Sequence, residues 1–198
     1  MPTIIFATSN AHKVQEVAAM LGADWQVLGL RDYPHVTLPE ETGTTFEANA
    51  ILKAEAASAA LPGLLVIADD SGLEVDLLNG EPGVYSARYA GLAATDADNR
   101  QRLREELAKL PPTTFEGRFR CCLVLARDGK TLHTTQGSVE GRLRTEEQGG
   151  GGFGYDSLFQ PEGYADTFGV LPAELKNQLS HRARALAEMR SWMEANLS

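Results

Sequence analysis

Five short stretches of this 198-residue chain carry residue types that do chemistry when gathered at one place. Thr8-Ser9-Asn10-Ala11-His12-Lys13 follows an apolar run and opens a helical pattern. Free backbone N–H groups and the helix dipole favour an anion there, and Lys13 adds a charge one turn in. An ordinary N-cap with a solvated lysine is the alternative reading. Asp69-Asp70-Ser71-Gly72 follows the apolar run Leu64–Ala68, where a carboxylate can hold a hard cation or take a proton from water. Alternation along a strand gives the two aspartates different jobs, one structural and one at the site. A turn capped by both is the competing reading. Glu40-Glu41-Thr42-Gly43 offers either metal ligands or simple partners for a helix dipole. Gly149–Gly152 runs into Phe153-Gly154-Tyr155-Asp156. Four glycines imply unusual dihedrals or a close backbone approach, two aromatic faces suit a planar ring, and Asp156 is an acceptor for ring N–H groups. A flexible loop before two core aromatics would look the same. Lys176 and Ser180-His181-Arg182 supply cations near the last helix, for a ligand or simply for solvent.

Composition narrows the field. Apolar residues make up 43% of the chain and charged ones 23%, as in a globular protein rather than a disordered one. Twenty-seven acidic residues against 18 basic ones give a net charge of -9. No Lys/Arg run offsets that charge, so a nucleic acid polymer is excluded as a partner, while a small anion is not. No apolar stretch is long enough to span a bilayer, and no basic-then-apolar leader begins the chain. The adjacent pair Cys121-Cys122 fits neither a disulfide nor a zinc site, which predicts buried, reduced thiols and a cytoplasmic protein.

The elements that must position these residues read as follows. Strands are predicted over Thr3–Thr8, Trp25–Leu30, Leu64–Ala68 and Leu73–Leu78, the last two separated by the DDSG loop. Helices are predicted after Asn10, from a Thr44/Glu47 capping box to Ala60, from Asp96 to Leu110 behind a Thr95 cap, and after Ser180. Asp128-Gly129 marks a hairpin between Arg118–Ala126 and Thr131–Gly137. Strands alternating with helices and then a hairpin predict an α/β fold with a mixed sheet. The 198 residues are expected to form one domain of two lobes around a cleft.

Seven motifs in register carry a resemblance. They are Thr8-x-Asn10-x-x-Lys13, Glu40-Glu41-Thr42-Gly43, Asn49-Ala50-x-x-Lys53-Ala54, Ala68-Asp69-Asp70-Ser71-Gly72-Leu73, Pro82-Gly83-x-Tyr85-Ser86-Ala87-Arg88-Tyr89, Gly152-Phe153-Gly154-Tyr155-Asp156 and Ser180-His181-Arg182. From Ile4 to about Leu186 the chain closely resembles the inosine triphosphate pyrophosphatase family. The resemblance implies an elongated mixed sheet with flanking helices, a homodimer, Mg²⁺ dependence, and hydrolysis of ITP, dITP or XTP to the monophosphate and pyrophosphate. It implies that Thr8, Ser9, Asn10, Ala11, His12 and Lys13 grip the triphosphate and that Glu40 and Asp70 are linked to the metal. Asp70 would also be the proton acceptor. Ser71, Phe153, Gly154, Tyr155, Asp156, Lys176, His181 and Arg182 would contact substrate. Two departures from the family pattern stand out: Ser9 replaces a glycine, and Ser157 replaces a proline, a change expected to loosen the loop before it.

Such a reaction has water attack the α-phosphorus while pyrophosphate leaves in line, so positioning and charge neutralisation dominate. A donor from Arg182 or His181 aimed at the purine C6 oxygen would favour hypoxanthine and xanthine over adenine. Guanine shares that oxygen, and Asp156 would accept from its 2-amino group, so the sequence offers no account of its rejection. Two rival readings are a phosphatase with Asp70 as nucleophile, which would release orthophosphate, and a nucleotide sensor without turnover.

Overall fold

The computed structural model describes residues 2–197. Its elements in chain order are β1 (Thr3–Phe6), α1 (Ala11–Leu21), β2 (Gln26–Gly29), α2 (Phe46–Ala60), β3 (Leu65–Val75), α3 (Asp96–Ala108), β4 (Phe115–Arg127), β5 (Lys130–Leu143), β6 (Phe159–Pro161), α4 (Ala173–Leu179) and α5 (His181–Asn196). Six strands form one sheet in the order β2-β1-β3-β4-β5-β6. Parallel pairing of β1 with β2 and β3 and antiparallel pairing of β5 with β6 make it mixed, as the alternating pattern predicts. Ile4, Ile5 and Phe6 of β1 are all fully buried, the continuous apolar signature of a parallel strand covered on both faces.

The chain divides into two compact units. The first holds residues up to Asp70 together with Cys121–Gly137 and His181–Ser198; the second holds Ser71–Arg120 and Ser138–Ser180. In the first, α1 and α5 lay Val17, Leu21, Leu186, Met189 and Met193 against Ile4, Phe6, Ile67, Leu123 and Leu125. The apolar side of the last helix is therefore a core face with the free thiol of Cys121 in the same cluster, and the Cys122 thiol is also free and buried. In the second, Leu103 and Leu107 of α3 join Leu73, Val75, Phe119, Phe159 and Phe168.

Local chemistry sets the ends of these elements. Asn10 caps α1, its side-chain oxygen accepting from the N–H groups of His12 and Lys13. Thr95 caps α3 in a reciprocal box with Asp98. The cap of α2 is Thr45, accepting from Ala48 N–H, rather than the predicted Thr44 with Glu47. Asp128 (φ 51°) and Gly129 (φ 75°) are both left-handed, as a two-residue hairpin of matching twist requires.

One prediction is overturned. The DDSG segment is not a loop between two strands; β3 runs unbroken through it. Strand geometry survives there because polar partners inside the fold satisfy its buried carboxylates, so no surface turn is required.

Gly137 lies on β5 where the chain meets α5. A Cβ at that position would collide with the carbonyl oxygen of His181 and lie 2.7 Å from the backbone nitrogen of Ala185. Gly137→Ala should therefore force the helix off the strand and cost roughly 1–3 kcal/mol, read as a lowered denaturant midpoint with unchanged slope.

Candidate functional site

Residues Asp69 and Asp70 sit side by side on β3 and face opposite ways. Asp69 is 1% exposed. Lys13 Nζ reaches both of its oxygens at 3.0 Å. Arg182 donates to its Oδ2 at 2.9 Å. Burial alone would raise the Asp69 carboxyl, but the cationic Lys13, Arg182 and Lys53 hold it far below the usual carboxylate range. Arg182 is 1% exposed and also donates to Glu16 Oε2 at 2.7 Å. The arginine assigned by resemblance to substrate is thus also the buried centre of an ion-pair network joining α1, β3 and α5.

Asp70 meets α2 instead. Asn49 Nδ2 donates to Asp70 Oδ2 at 2.9 Å. One turn along, Lys53 Nζ pairs with Glu41 Oε1 at 2.5 Å. Burial pushes the Asp70 carboxyl up, and repulsion from Glu41 and Asp69 adds to this; Lys53 and the Asn49 hydrogen bond offset only part. For Lys53, burial acts to lower the ammonium, yet Asp69, Asp70 and Glu41 together keep it above its ordinary value. Helix α2 approaches this closely because Ala50, Ala54 and Ala57 on its inner face are fully buried and small.

The first stretch is held open at the start of α1. Thr8 Oγ1 accepts from Asn10 N–H at 3.1 Å, and Arg31 Nε donates to the Ser9 carbonyl at 3.1 Å. Ser9, Asn10 and His12 are exposed, while Thr8, Ala11 and Lys13 are half-buried. Glu40 is exposed; Glu41 is the acidic-loop residue that enters the charge cluster with Lys53 and Asp70.

The second unit builds its own cluster. Lys176 Nζ donates to Asp156 Oδ2 at 2.6 Å and lies 4.6 Å from the centre of the Phe153 ring. The same Asp156 oxygen accepts from Phe153 N–H at 2.9 Å. Arg100 donates to the Gly154 carbonyl at 2.9 Å, Asp96 accepts from Gly154 N–H at 2.7 Å, and Tyr155 OH donates to the Ser86 carbonyl at 2.8 Å. The glycine run has the constraint expected of it. Gly149 (φ 80°) packs on the backbone of Gly169, and any Cβ on Gly152 (φ 72°) would strike the Asp156 carboxylate. Ser157, which stands where the family has proline, donates its hydroxyl to Glu147 Oε2 at 2.9 Å.

Within the first unit the structure thus brings Lys13 and Arg182 together on Asp69 and sets Asp70 with Asn49, Lys53 and Glu41; within the second it gathers Phe153–Asp156 and Lys176. Ser71 is half-buried on β3, and His181 is buried at the start of α5. Sequence reasoning gave no role to Asn49, Glu16 or Arg100. The signal for Asn49 was an asparagine on the same helical stripe as Ala50, Lys53, Ala54 and Ala57, a face that otherwise reads as core.

Residues 4–192 match the pattern of the Ham1 family. This chain belongs to that family. It is 46% identical over 184 residues to the dITP/XTP pyrophosphatase of Desulforamulus reducens, covering 92% of this chain and 91% of that protein. To the dITP/XTP pyrophosphatase of Geobacter sulfurreducens it is 45% identical over 188 residues, 94% of each. Among solved structures, the Staphylococcus aureus Ham1 protein superposes with a TM-score of 0.83 at 39% identity, covering 98% of both chains. A HAM1 protein from Coxiella burnetii gives 0.86 at 35% identity, covering 98% of this chain and 100% of that one. The family resemblance carried by the seven motifs and the α/β fold it implied are both borne out.

Removing the charge on Asp69 tests the Ham1 network. Asp69→Asn should destabilise the fold by about 3–5 kcal/mol, because it leaves the buried Arg182 short of a counter-charge. Since the folded-state carboxyl is depressed, its stabilisation is complete above the ordinary aspartate range and is lost as pH falls below it. The variant should therefore lose less stability between neutral pH and strong acid than the parent, as thermal midpoints across pH will show.

Proposed function

We propose that this protein hydrolyses the non-canonical purine nucleoside triphosphates ITP, dITP and XTP to the monophosphate and pyrophosphate. The relatives named dITP/XTP pyrophosphatase at 45–46% identity support the reaction class. The observation that carries the reading is the division of labour on β3, where Asp69 is neutralised by Lys13 and Arg182 while Asp70 keeps a carboxyl raised by burial. A carboxylate raised toward neutrality is the better proton acceptor.

Mg²⁺ fits this donor set. Burial, with smaller repulsion from Glu41 and Asp69, penalises the charged Asp70 carboxylate, and a hard cation with oxygen ligands would relieve that cost. Among the described residues no group of three or more His, Cys, Asp or Glu is arranged to hold a metal by itself. That pattern suits Mg²⁺, which binds through one or two carboxylates plus substrate phosphates. Asp70 would hold it together with a carboxylate of the acidic loop, Glu40 by family resemblance or Glu41 by its place in the charge cluster. When bound, the ion neutralises phosphate charge and polarises the phosphoryl oxygens.

Asp70 then takes the proton of the water that attacks the α-phosphorus, and pyrophosphate departs opposite to it. The start of α1, with Thr8–Lys13, receives phosphate oxygens on its N-terminal end. The Phe153 face stacks on the purine ring, and Lys176 donates to its carbonyl oxygens. Asp156 Oδ2 already accepts from Lys176 and Phe153 N–H, which leaves this carboxylate fewer lone pairs for the 2-amino group of guanine. On this reading guanine brings a poorly paired donor where xanthine brings an acceptor. The buried, reduced cysteines fit a cytoplasmic setting, and family resemblance supports a homodimer.

The decisive experiment is a panel of nucleoside triphosphates with and without Mg²⁺, scored for the product released. Pyrophosphate from dITP, ITP and XTP supports the proposal, while orthophosphate alone supports a phosphatase. Asp70→Asn should retain nucleotide binding and lose about 10²–10⁴-fold in kcat. GTP should be turned over about one to two orders of magnitude more slowly than XTP, the effect of one unpaired donor on kcat/KM.

A further inference from the structure

Asn49 joins the acidic loop, α2 and β3 through a single side chain. It is fully buried. Its Oδ1 accepts from Gly43 N–H at 2.7 Å, and its Nδ2 donates to Asp70 Oδ2 at 2.9 Å. A backbone N–H can only donate, so the amide oxygen must face Gly43 and the nitrogen must face Asp70. The flipped amide is excluded, since it would set donor against donor at one end and acceptor against acceptor at the other.

Gly43 is cut to fit this arrangement. A Cβ there would stand 2.6 Å from Asn49 Oδ1 and 2.8 Å from the Ala48 Cβ. The loop that carries Glu40 and Glu41 is therefore closed onto the asparagine without room for any side chain at its last residue. Asn49 itself is held by a helix whose Phe46, Ala50 and Ala54 are buried on either side of it in sequence.

We propose that Asn49 is a positioning residue for the hydrolytic reaction. It fixes the rotation of the Asp70 carboxyl plane and ties the acidic loop to that same orientation, so that proton acceptor and loop carboxylates move as one piece. This inference rests on the reading of Asp70 as the proton acceptor. Asn49 acts through Asp70 and does not itself touch the nucleotide, so its loss should appear in the chemical step rather than in binding.

The test compares the parent with Asn49→Asp and Gly43→Ala, measuring pyrophosphate release from dITP with Mg²⁺ over a range of substrate concentrations. Asn49→Asp keeps the acceptor for Gly43 N–H but turns a carboxylate toward Asp70; Gly43→Ala keeps both polar groups and displaces the amide. The expected result is a kcat lowered about 10–100-fold in Asn49→Asp, the usual effect of losing a supporting hydrogen bond, with KM near the parent's. Gly43→Ala should shift kcat the same way, and it decides the matter alone if Asn49→Asp does not fold. A merely structural role would lower the thermal midpoint and the active fraction, leaving kcat per folded molecule unchanged, and that result overturns the proposal. A raised KM at constant kcat also overturns it, because Asn49 would then be holding substrate. A parent that hydrolyses no nucleoside triphosphate overturns the proposed function, and this inference falls with it.

Discussion

The alternation of side chains along β3 is the constraint on which the rest of the charge network depends. Two adjacent ionised carboxylates in one buried environment would repel each other unless separate partners took up each charge. The strand resolves this by geometry. Asp69 turns toward Lys13 of α1 and Arg182 of α5, and Asp70 turns toward Asn49 of α2. One aspartate becomes an anchor for two helices, and the other is left with a carboxyl raised by burial.

Helix α2 shows how a core element can serve chemistry. Its buried stripe alternates small alanines with Asn49 and Lys53. Alanine allows the helix backbone to come near the sheet, and the two polar residues use that proximity to reach Asp70 and Glu41. Lys53 would be costly in such a place without a counter-charge. Its pairing with Glu41 makes the buried lysine tolerable and sets the acidic loop beside the strand.

The second cluster ties a glycine-rich loop to its surroundings through side-chain bonds to the backbone. Backbone groups of Gly154 are fixed from α3 by Asp96 and Arg100, and Asp156 is closed between Lys176 and Phe153 N–H. Left-handed backbone at Gly149 and Gly152 brings main chain and carboxylate too close for a side chain at either position.

Much of this was legible in order of residues alone. Apolar runs, caps and turn residues gave β1, β2, the hairpin and the helices after Asn10 and Ser180, because burial and chain reversal leave local marks in the chain. Motif spacing gave the family, and with it the residues worth watching. What the chain order hid was every long-range partner: that β3 passes straight through Asp69-Asp70-Ser71-Gly72, that Arg182 lies in the core beside Glu16, that Asn49 bridges Gly43 to Asp70, and that Asp156 is already engaged. A polar tetrapeptide reads as a turn until the cations that neutralise it are known, and those cations come from residues 13 and 182, at opposite ends of the chain. The sequence determined which groups could ionise, pack and cap, since these are properties of single residues and their neighbours. Only the tertiary structure decided which charges met, because the energy of a buried ion depends on what surrounds it in space.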